Sequence, residues 1–558
     1  MGCSRKAMEH CGHSILQKLE ENFLVERVEE CVQLEMLKRS PYSGKCTHIK
    51  MHDLFRDMAL HITRKRFMVK AGKELKELPH EEEWSEDLEK VSLMCNSIST
   101  IPQTMKCPKF RRLTTLLLAH NSLKEIPNSF FEHFPNLKIL DLSRNDFESL
   151  PNSLSSLEKL TVLLLTACFH LKSLPSLSKL QALKKLDIDC SGVKEIPEGL
   201  EMLLNLKYLN LGGPFKDIPI GLLSKLFRLQ YLAIHSILNA EHIRELSKLE
   251  VFEGCFSNIG GLNIYAYQRK KLHNYSILVC PRSFLYVPPA SSKLVTFESI
   301  DFNLGDEIIL PHDIRQLHLN SCCGITSLND IRLRDATDLK VCEVERCDKL
   351  ESVFSSDCDQ LRTLESLKLK HLMNLKVMVA VGAGKSSVGT FSSLKEISLC
   401  DCHKIKHLFS GDWVLNNLEV MNVENCRELE EIIINSENQG PGFNNGSIEF
   451  IFPRLQNLTL SNLPKLKVIC SENGVMVCDS LQFIKIDYCL KIKRIPLYLP
   501  QLEIDNEGKL SPSNSLKEIR VYSRHWWESV EWNHPMFNAK NVLKPLLKFK
   551  DHRSDEWK

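Results

Sequence analysis

Residues 137–151 read LKILDLSRNDFESLP, and this stretch decides the fold. Leu140 and Leu142 alternate with other residues on a short predicted strand, so they point to one face while Asp141 points to the other. Asn145 follows at a turn, where a short amide side chain can bond backbone groups that the turn leaves unpaired. One such unit cannot bury its own leucines, so the pattern requires neighbours of the same kind.

Those neighbours are present. After an earlier unit that begins at Leu88, the motif recurs at steps of 24, 23, 23, 23 and 23 residues, starting from Leu113, Leu137, Leu160, Leu183, Leu206 and Leu229. In six units a proline, which stops a continuing helix, follows the closing apolar residue: Pro102, Pro127, Pro151, Pro175, Pro197 and Pro219. This is the signature of the leucine-rich repeat. We predict an α/β leucine-rich-repeat solenoid, a curved horseshoe with a parallel concave sheet, preceded by a small winged-helix-like α+β segment.

The repeats change in character along the chain. Regular, proline-ending repeats fill residues 88–250, and paired glycines and prolines interrupt the rhythm in residues 251–313. A second block of repeats, 314–525, places cysteine or leucine where the first block has asparagine. The tryptophan-rich residues 526–558 are predicted to cap the last open face of the core.

Composition excludes several functional classes. The 72 basic and 70 acidic side chains give a net charge of +2, which argues against a general binder of nucleic acids or anionic membranes. No apolar run reaches the roughly 18 residues that a membrane-spanning helix needs. The N-terminus lacks an apolar signal region, so we expect a cytoplasmic protein that reaches a membrane only through relatives or partners.

The chain has 21 cysteines, which could suggest disulfides or zinc. Six of them stand where the motif has asparagine, a place that a small buried thiol also fits: Cys168, Cys322, Cys347, Cys402, Cys426 and Cys489. No paired CxxC motifs occur, so the spacing does not indicate a zinc site. We expect reduced, buried thiols in a cytosolic protein and no metal.

Residues 1–65 show a helix, hairpin, helix pattern. The second predicted helix, 51–65, has one apolar face, formed by Met51, Leu54, Phe55, Met58, Ala59 and Ile62. The pattern is that of a small winged-helix-like segment. Because it offers no basic recognition face, we expect it to pack against protein rather than to bind DNA. Residues 66–87 are charged with few apolar anchors and are predicted to be a solvated linker.

The second helix also carries a family resemblance. Residues 51–59, Met-His-Asp-Leu-Phe-Arg-Asp-Met-Ala, closely resemble the MHD motif and following helix of plant nucleotide-binding leucine-rich-repeat (NLR) immune receptors of the coiled-coil type. Stretches around His13, Trp84 and Trp526 are similar to flanking patterns of that family, so the resemblance covers essentially the whole chain. It implies that this sequence corresponds to the end of the winged helix (the C-terminal part of the NB-ARC region) and the repeats. Met1 is therefore expected to match an internal methionine of longer relatives.

The resemblance implies a role for His52, flanked by Met51 and Asp53, in contacting the β-phosphate of ADP in a full-length receptor. A histidine at a helix start adds a directed donor to a terminus that already favours anions. Without the rest of the pocket, we expect His52 to cap the helix in this chain. We expect no cofactor here, with ADP or ATP belonging to full-length relatives.

One stretch resembles a phosphate-binding loop. Gly384-Lys385-Ser386 matches the end of a Walker A motif, but Val379 stands where that motif needs its first glycine. The stretch also lies between two predicted repeat strands, without the helix whose N-terminus would hold phosphates. We interpret it as a loop. No nucleophile elbow or HExxH motif is present, and we expect a non-enzymatic protein.

The predicted fold offers a surface instead of a pocket. Outward-facing positions beside the leucines include a basic row, Lys138, Lys184, Lys207, Lys340, Lys395 and Lys517, and a mixed row, Asp141, Asp187, Asn210 and Glu343. Charged rows can pair with a partner's opposite charges and speed its docking. Since aromatic anchors contribute most at interfaces, we expect the strongest contacts at Tyr208, Tyr231, Phe483 and Tyr522.

The sequence thus favours a plant defence protein: a recognition and autoinhibitory scaffold that senses a pathogen effector or an effector-modified host protein. In full-length relatives it would also contact the missing nucleotide-binding domain. Two alternatives stay open at this stage. One is an ADP/ATP-dependent switch, which requires a longer chain. The other is an extracellular repeat inhibitor or receptor ectodomain, which a count of free thiols would test.

Overall fold

The structure is a computed structural model. It describes residues 14, 16–19, 25–29, 47–103, 109–213, 215, 218–219, 221–268, 272–281, 287–288, 290, 292–302, 307–331, 336–355, 363–380, 391–410, 413, 415–434, 448–470, 474–499, 515–532 and 539–549. The Walker-like stretch at 382–387 lies outside these residues. The chain divides into a first unit (residues 1–257, 270–277 and 282–291) and a second unit (258–269, 278–281 and 292–558).

The first unit is built on parallel strands that pair in chain order, one strand to a repeat. They are Phe67–Val69, Lys90–Ser92, Thr115–Leu117, Ile139–Asp141, Val162–Leu164, Lys185–Asp187, Tyr208–Leu211, Tyr231–Ile237 and Val251–Phe256. The register aligns the repeat leucines: Leu140, Leu163 and Leu186 are cross-strand partners and none of them is exposed. The predicted leucine-rich-repeat fold is confirmed.

The sheet begins earlier than the sequence indicated. Phe67–Val69 pairs in parallel with Lys90–Ser92, and Trp84 is buried with its ring 5.5 Å from that of Phe110. Residues 66–87 therefore include the first strand of the repeat sheet, which corrects the prediction of a solvated linker. This strand is hard to recognise in the sequence, because it is only three residues long and lies among charged residues.

The N-terminal segment contains part of the predicted pattern. Strands Val25–Glu29 and Thr47–Met51 pair antiparallel, and the helix Asp53–Thr63 follows. The apolar face of this helix is not packed as expected: its residues are all at least partly exposed, with Leu54 at 70% and Ile62 at 73%. A winged helix is not established by these elements.

The second unit has a parallel sheet of the same kind with longer strands. They are Lys293–Glu298, Gln316–Asn320, Val341–Glu345, Ser366–Lys370, Glu396–Cys400, Val420–Glu424, Asn457–Ser461, Phe483–Asp487, Glu518–Val521 and Leu547–Phe549. In most of these strands buried and partly exposed residues alternate, which gives each repeat one core face and one outward face.

Most repeats of the second unit carry a further strand after the turn, where the sequence indicated only extra length. These strands form small parallel sheets: Ser352–Ser355 with Val377–Ala380; His407–Ser410, Glu431–Ile434 and Val468–Cys470; Ile448–Ile451, Gly474–Val477 and Leu497–Tyr498; and Arg494–Ile495 with Glu531–Trp532. Trp527 is buried beside this region and its ring lies 5.6 Å from that of Trp532, as a terminal cap requires.

Helices are short and mostly connect strands. Where both ends lie among the described residues, the α-helices are Asp53–Thr63, Leu222–Lys225, Glu241–Arg244, Ile259–Tyr267, Arg524–Ser529 and Ala539–Val542, and the 3₁₀ turns are Glu81–Glu83, Phe130–His133, Asn152–Ser156, Leu200–Met202, Leu328–Ile331 and Lys544–Leu546. The interval 251–313 also contains the strand Asn274–Val279. Within the described part of the chain, no helix has the length and apolarity to span a membrane.

A column of buried side chains joins the turns of successive repeats. The Asn145 amide donates to the carbonyl oxygens of Leu118 (3.0 Å) and Leu142 (2.9 Å), and its Oδ1 accepts from the backbone N–H of Leu123 (3.2 Å). Asn121 repeats this arrangement one unit earlier. Each asparagine therefore satisfies backbone groups of two neighbouring repeats at once.

Cysteine continues the column, as the sequence predicted. The Cys168 thiol donates to the carbonyl oxygen of Leu142 at 3.3 Å, and that of Cys489 donates to Leu460 at 3.5 Å. All six cysteines predicted for this position are buried and none of them forms a disulfide. A thiol can donate a hydrogen bond as the asparagine amide does, but it lacks the amide oxygen that accepts one.

In most repeats the residue before the column position has a left-handed backbone, although it is not glycine. This conformation recurs at Cys95, His120, Arg144, Ala167, Cys190, Ser321, Arg346, His371, Asp401, Asn425, Asn462 and Tyr488, with φ between 50° and 57°. Left-handed backbone costs an L-residue roughly 1–2 kcal/mol. The column and the ladder hydrogen bonds hold this turn in place in these twelve repeats.

The strain at these turns can be measured at His120, which is exposed and has φ of 57°. We expect His120→Gly to raise the free energy of unfolding by about 0.5–1 kcal/mol, because relief of strain exceeds the added entropy of the unfolded chain. We expect His120→Val to lower it by about 1–2 kcal/mol, since a β-branched residue tolerates this backbone poorly. Denaturant unfolding curves of the three proteins test the order Gly, His, Val; the reverse order would contradict the left-handed turn.

Candidate protein-recognition surface

The outward side chains of the strands form rows that run from repeat to repeat. In the first unit, Lys185, Tyr208 and Tyr231 are aligned across three neighbouring strands, and Asp187 and Asn210 are aligned in the next row. Neighbouring strands lie about 4.8 Å apart, so residues of one row contact each other directly. The sequence placed Tyr208 and Tyr231 on this face, and the structure brings them together.

The two tyrosines form a stacked pair. Their ring centroids are 4.1 Å apart with an interplanar angle of 3°, and the Lys185 ammonium lies 4.2 Å from the centroid of Tyr208 on the neighbouring strand. The Tyr208 hydroxyl donates to Asp187 (3.2 Å) and the Tyr231 hydroxyl donates to Glu253 (2.8 Å). The rings are thus fixed in position before any partner arrives, which reduces the entropy lost on binding.

Two residues predicted to contact a partner are covered instead. Asp187 and Asn210 are each only 8% exposed. Burial raises the pKa of the Asp187 carboxyl, and burial together with the Asp187 charge raises the pKa of the Tyr208 hydroxyl. Asp187 therefore positions Tyr208 rather than meeting a partner. Asp141, in the same row three repeats from the tyrosine pair, remains partly exposed.

The predicted lysine row differs between the two units. In the first unit Lys138 and Lys184 are exposed and Lys207 is partly exposed; in the described part of the chain, none of the three has an acidic partner. In the second unit Lys340 and Lys395 both bind Glu365, at 2.5 and 2.8 Å. These hydrogen bonds lower the pKa of Glu365 and raise that of Lys395. The prediction of a basic stripe is therefore wrong for this part of the second unit, where the charges alternate.

Glu343 of the second unit is also engaged within the sheet. Its carboxylate binds Lys370 on the neighbouring strand, and His318 Nε2 lies 4.0 Å from it. Burial opposes its ionisation, but the hydrogen bond and charge of Lys370 outweigh that effect and lower the pKa of Glu343. A partner would have to compete with these bonds for Glu343.

The second unit carries a depression on its outward face, with a volume of about 410 Å³. Phe483, 42% exposed, lines it together with Lys485 and Arg520. Lys517 lies beside it, with its ammonium 5.7 Å from the centroid of the Phe483 ring. The predicted Tyr522 is partly buried and its ring lies 4.1 Å from that of Tyr488. A larger depression, about 960 Å³, is lined by loop residues of the first unit such as Pro127 and Pro151, not by strand residues.

His52 caps the helix Asp53–Thr63, because its Nδ1 accepts a hydrogen bond from the backbone N–H of Leu54 at 3.3 Å. Met51, His52 and Asp53 are all exposed, and Asp53 binds Arg56. Three exposed residues at one helix start do not by themselves form a nucleotide pocket. Among the described residues, no group of three or more His, Cys, Asp or Glu is placed to hold a metal ion.

Sequence reasoning missed Lys185 and Glu253. It took the residue directly after the first leucine, Lys184, as the basic position, whereas the structure places Lys185 against the tyrosine pair. The signal was available, since Lys185 flanks the buried Leu186 and must face outward. Glu253 had no such signal: it is 6% exposed, and its Oε1 also accepts from the backbone N–H of Ala290, 37 residues away.

Two family models match the chain. Residues 384–497 match the leucine-rich repeats of the family described as plant disease resistance protein RPS2-like, and residues 111–168 match the leucine-rich-repeat family. Disease resistance protein At4g27190 of Arabidopsis thaliana is 27% identical over 542 residues, which cover 89% of this chain and 52% of that protein. Disease resistance protein RPS5 of the same plant is 24% identical over 87% of this chain and 45% of its own length.

The chain therefore spans about half the length of the curated relatives it matches. Among solved structures, the Leptospira interrogans leucine-rich-repeat protein LIC12759 is 17% identical, covering 66% of this chain and 89% of that one with a TM-score of 0.42.

Proposed function

We propose that this leucine-rich-repeat chain, a homologue of plant disease resistance proteins, serves in plant defence by recognising another protein. The observation that carries the proposal is the outward strand face, where aromatic and charged side chains are held rigidly on a buried framework. The stacked Tyr208 and Tyr231 and the half-exposed Phe483 are the kind of anchors that dominate binding energy at protein interfaces.

The proposed partner is a pathogen effector or a host protein that an effector has modified. In longer relatives the same repeats would also restrain a nucleotide-binding domain, and a partner would release that restraint by binding one of two states more tightly. No catalytic step enters this mechanism, because a recognition scaffold acts by contact alone. The proposal therefore assigns no enzyme activity and no cofactor to this chain.

Co-immunoprecipitation from leaf tissue tests the proposal. The tagged chain is expressed together with individual pathogen effectors, and with tagged host proteins that those effectors modify. We expect at least one of them to associate with the chain, and we expect a combined Tyr208→Ala, Tyr231→Ala and Phe483→Ala variant to lose most of that association. The matched control is Phe169→Ala, which removes an aromatic side chain that is 69% exposed and lies outside the strands. Association that survives all three outward changes would contradict the proposal.

We place this recognition in the cytoplasm. The support is the column of buried cysteines, which donate as thiols to backbone carbonyls and would lose those bonds in an oxidising compartment if they paired. The absence of a spanning helix among the described residues agrees with this placement without requiring it.

Thiol titration without reductant tests the placement. Burial raises the pKa of Cys402 and Cys489 to about 12, so at neutral pH both remain protonated and unreactive in the folded protein. We expect the column cysteines to react with a thiol reagent only after unfolding in guanidinium, when all 21 cysteines should be titrated. A protein reduced beforehand gives the reference count. A lower count in the unreduced sample would reveal disulfides and favour the extracellular alternative.

A further inference from the structure

Two neighbouring repeats of the first unit expose apolar side chains at positions where other repeats are polar. Leu204 is 49% exposed and Phe227 is 45% exposed. They occupy equivalent places, since each lies four residues before one of the paired residues Tyr208 and Tyr231. The corresponding residues of the two preceding repeats are Glu158 and Gln181.

The equivalent turns confirm that Leu204 and Phe227 lie on adjacent rungs. Leu206 N–H bonds to the Leu203 carbonyl at 2.9 Å in one repeat, and Leu229 N–H bonds to the Leu226 carbonyl at 3.0 Å in the next. Met202, 46% exposed, lies two residues before Leu204 and enlarges the apolar area. These three side chains are exposed although burial would stabilise each of them, which marks the area as a contact surface for another molecule.

The repeats that carry these apolar residues also carry cations. Lys184, Lys207 and Lys225 have no acidic partner among the residues that the structure describes. Lys184 and Lys207 are adjacent, because the Lys207 N–H donates to the Lys184 carbonyl at 2.8 Å. Arg228 follows Phe227 directly, lies over its ring at 5.7 Å, and bonds to the amide oxygen of Asn205 rather than to a carboxylate. The surface is thus both apolar and positively charged.

The same two repeats carry the stacked tyrosines. Lys207 connects the exposed apolar residues with the stacked tyrosines, because it lies in the chain between Leu204 and Tyr208, where the strand begins. Two acidic residues of this region, Asp187 and Glu253, are buried and accept from the tyrosine hydroxyls, whereas Glu201 beside Met202 is partly exposed. Apolar, aromatic and cationic groups therefore occur together on the repeats that start at Leu183, Leu206 and Leu229.

We infer that this surface, Met202, Leu204 and Phe227 with Lys184, Lys207 and Lys225, docks an acidic protein segment that carries apolar side chains. This inference rests on the proposed function and names the chemistry of the partner. Carboxylates of the segment pair with the unpartnered lysines, while its leucine or aromatic side chains cover the three exposed apolar residues. Each element of the surface thereby receives a partner of complementary chemistry.

A protein segment fits this surface better than a polyanion does. Nucleic acids and anionic membranes present charge at regular, dense spacing and favour surfaces whose exposed residues are uniformly basic. Here the same repeats expose three apolar side chains as well as the cations, and the carboxylates of Asp187 and Glu253 accept from the tyrosine hydroxyls. A polypeptide can place its acidic side chains over the lysines and keep them away from Asp187 and Glu253.

Selection of short random peptides displayed on phage, with the full purified chain as target, tests the inference. We expect enriched peptides to combine aspartate or glutamate with leucine, phenylalanine or tryptophan. Their affinity should fall at least about tenfold for a Lys184→Glu, Lys207→Glu and Lys225→Glu variant, and by a similar factor for Leu204→Ser with Phe227→Ser. All five residues are partly or fully exposed, so the unfolding curves of both variants should match that of the parent chain.

The matched control makes the same kinds of change in the second unit, with Lys349→Glu at an exposed lysine for charge and Met373→Ser for a 43% exposed apolar residue. It should leave peptide affinity unchanged. Vesicles of phosphatidylcholine and phosphatidylserine form a second arm. Binding of vesicles but not of acidic peptides through these residues would overturn the inference in favour of a membrane.

Two further results would overturn it: failure to enrich acidic, apolar peptides, and enriched peptides that bind the charge-reversed variant as tightly as the parent chain. Both leave the proposed function open, because a protein could still be recognised through Phe483 and its surroundings. The proposed function itself is contradicted only if co-immunoprecipitation finds partners whose association no outward-face variant weakens. The two failures are therefore distinguishable.

Discussion

Leu186→Arg is expected to unfold the repeats around it. Leu186 has no exposed surface and is the cross-strand partner of both Leu163 and Leu209. Removing its side chain forfeits roughly 1.5–3 kcal/mol of apolar burial, and an unpaired charge in the same place costs several kcal/mol more. Because each repeat is stabilised by its neighbours, the loss should spread along the first unit and lower the denaturation midpoint sharply in circular dichroism.

The control for this change lies two residues away. Lys184 is exposed, and no acidic partner holds it among the described residues. Lys184→Glu should therefore shift the free energy of unfolding by no more than about 0.5 kcal/mol, while it weakens docking of an acidic peptide. Similar destabilisation by the two substitutions would mean that the strand register is wrong.

Asn145→Ala is expected to lower the free energy of unfolding by about 2–4 kcal/mol, because it removes several hydrogen bonds in a buried site. Asn145 is 2% exposed. Its loss leaves the backbone N–H of Leu123 without an acceptor, whereas the carbonyls of Leu118 and Leu142 retain donors from Asn121 and Cys168. The unsatisfied Leu123 N–H and the cavity at the turn account for most of the cost. Chemical denaturation of the whole chain measures it.

Asn145→Cys separates donor from acceptor. The chain itself uses cysteine at this position in later repeats, where the thiol donates to the same kind of carbonyl. We expect this variant to lose about half as much stability as Asn145→Ala. Asn136→Ala is the surface control: its amide donates to the Arg111 carbonyl at an exposed site, and its loss should cost no more than about 1 kcal/mol. Equal costs for Asn136→Ala and Asn145→Ala would show that the column does not carry stability.

The interchange of asparagine and cysteine shows which features of the repeats could be predicted from local sequence. A search that required asparagine at this position would have ended at Asn145. The physical requirement is a small buried side chain that donates a hydrogen bond, and this requirement identified Cys168 and the later column positions correctly. The same reasoning failed at Phe67–Val69, because a strand of three residues within a charged stretch carries too little apolar pattern to be recognised. That strand is stabilised mainly by pairing with Lys90–Ser92, which is not visible in its own residues.

The candidate surface was only partly visible. Tyr208 and Tyr231 were placed correctly because they flank buried leucines at a fixed spacing. Glu365 binds Lys340 and Lys395 and occupies the same position as they do, in the repeat that lies between theirs. The ion pairing therefore depends on which side chains the neighbouring repeats place at this position. The exposure of Leu204 and Phe227 likewise depends on which side of the repeat turn faces solvent, and apolar residues at such positions look like core residues in sequence.

The spacing of leucines determined the repeat fold, the alternation of inward and outward side chains, and the column of asparagine and cysteine. These depend on periodicity, which can be read in full from the sequence. Only the tertiary structure decided which lysines have no acidic partner among the described residues, that Asp187 and Asn210 are covered, and that Met202, Leu204 and Phe227 are exposed. Those properties depend on contacts between repeats. The residues that pair a charge or cover a side chain are about 23 or more positions away in the chain, but only one strand spacing away in space.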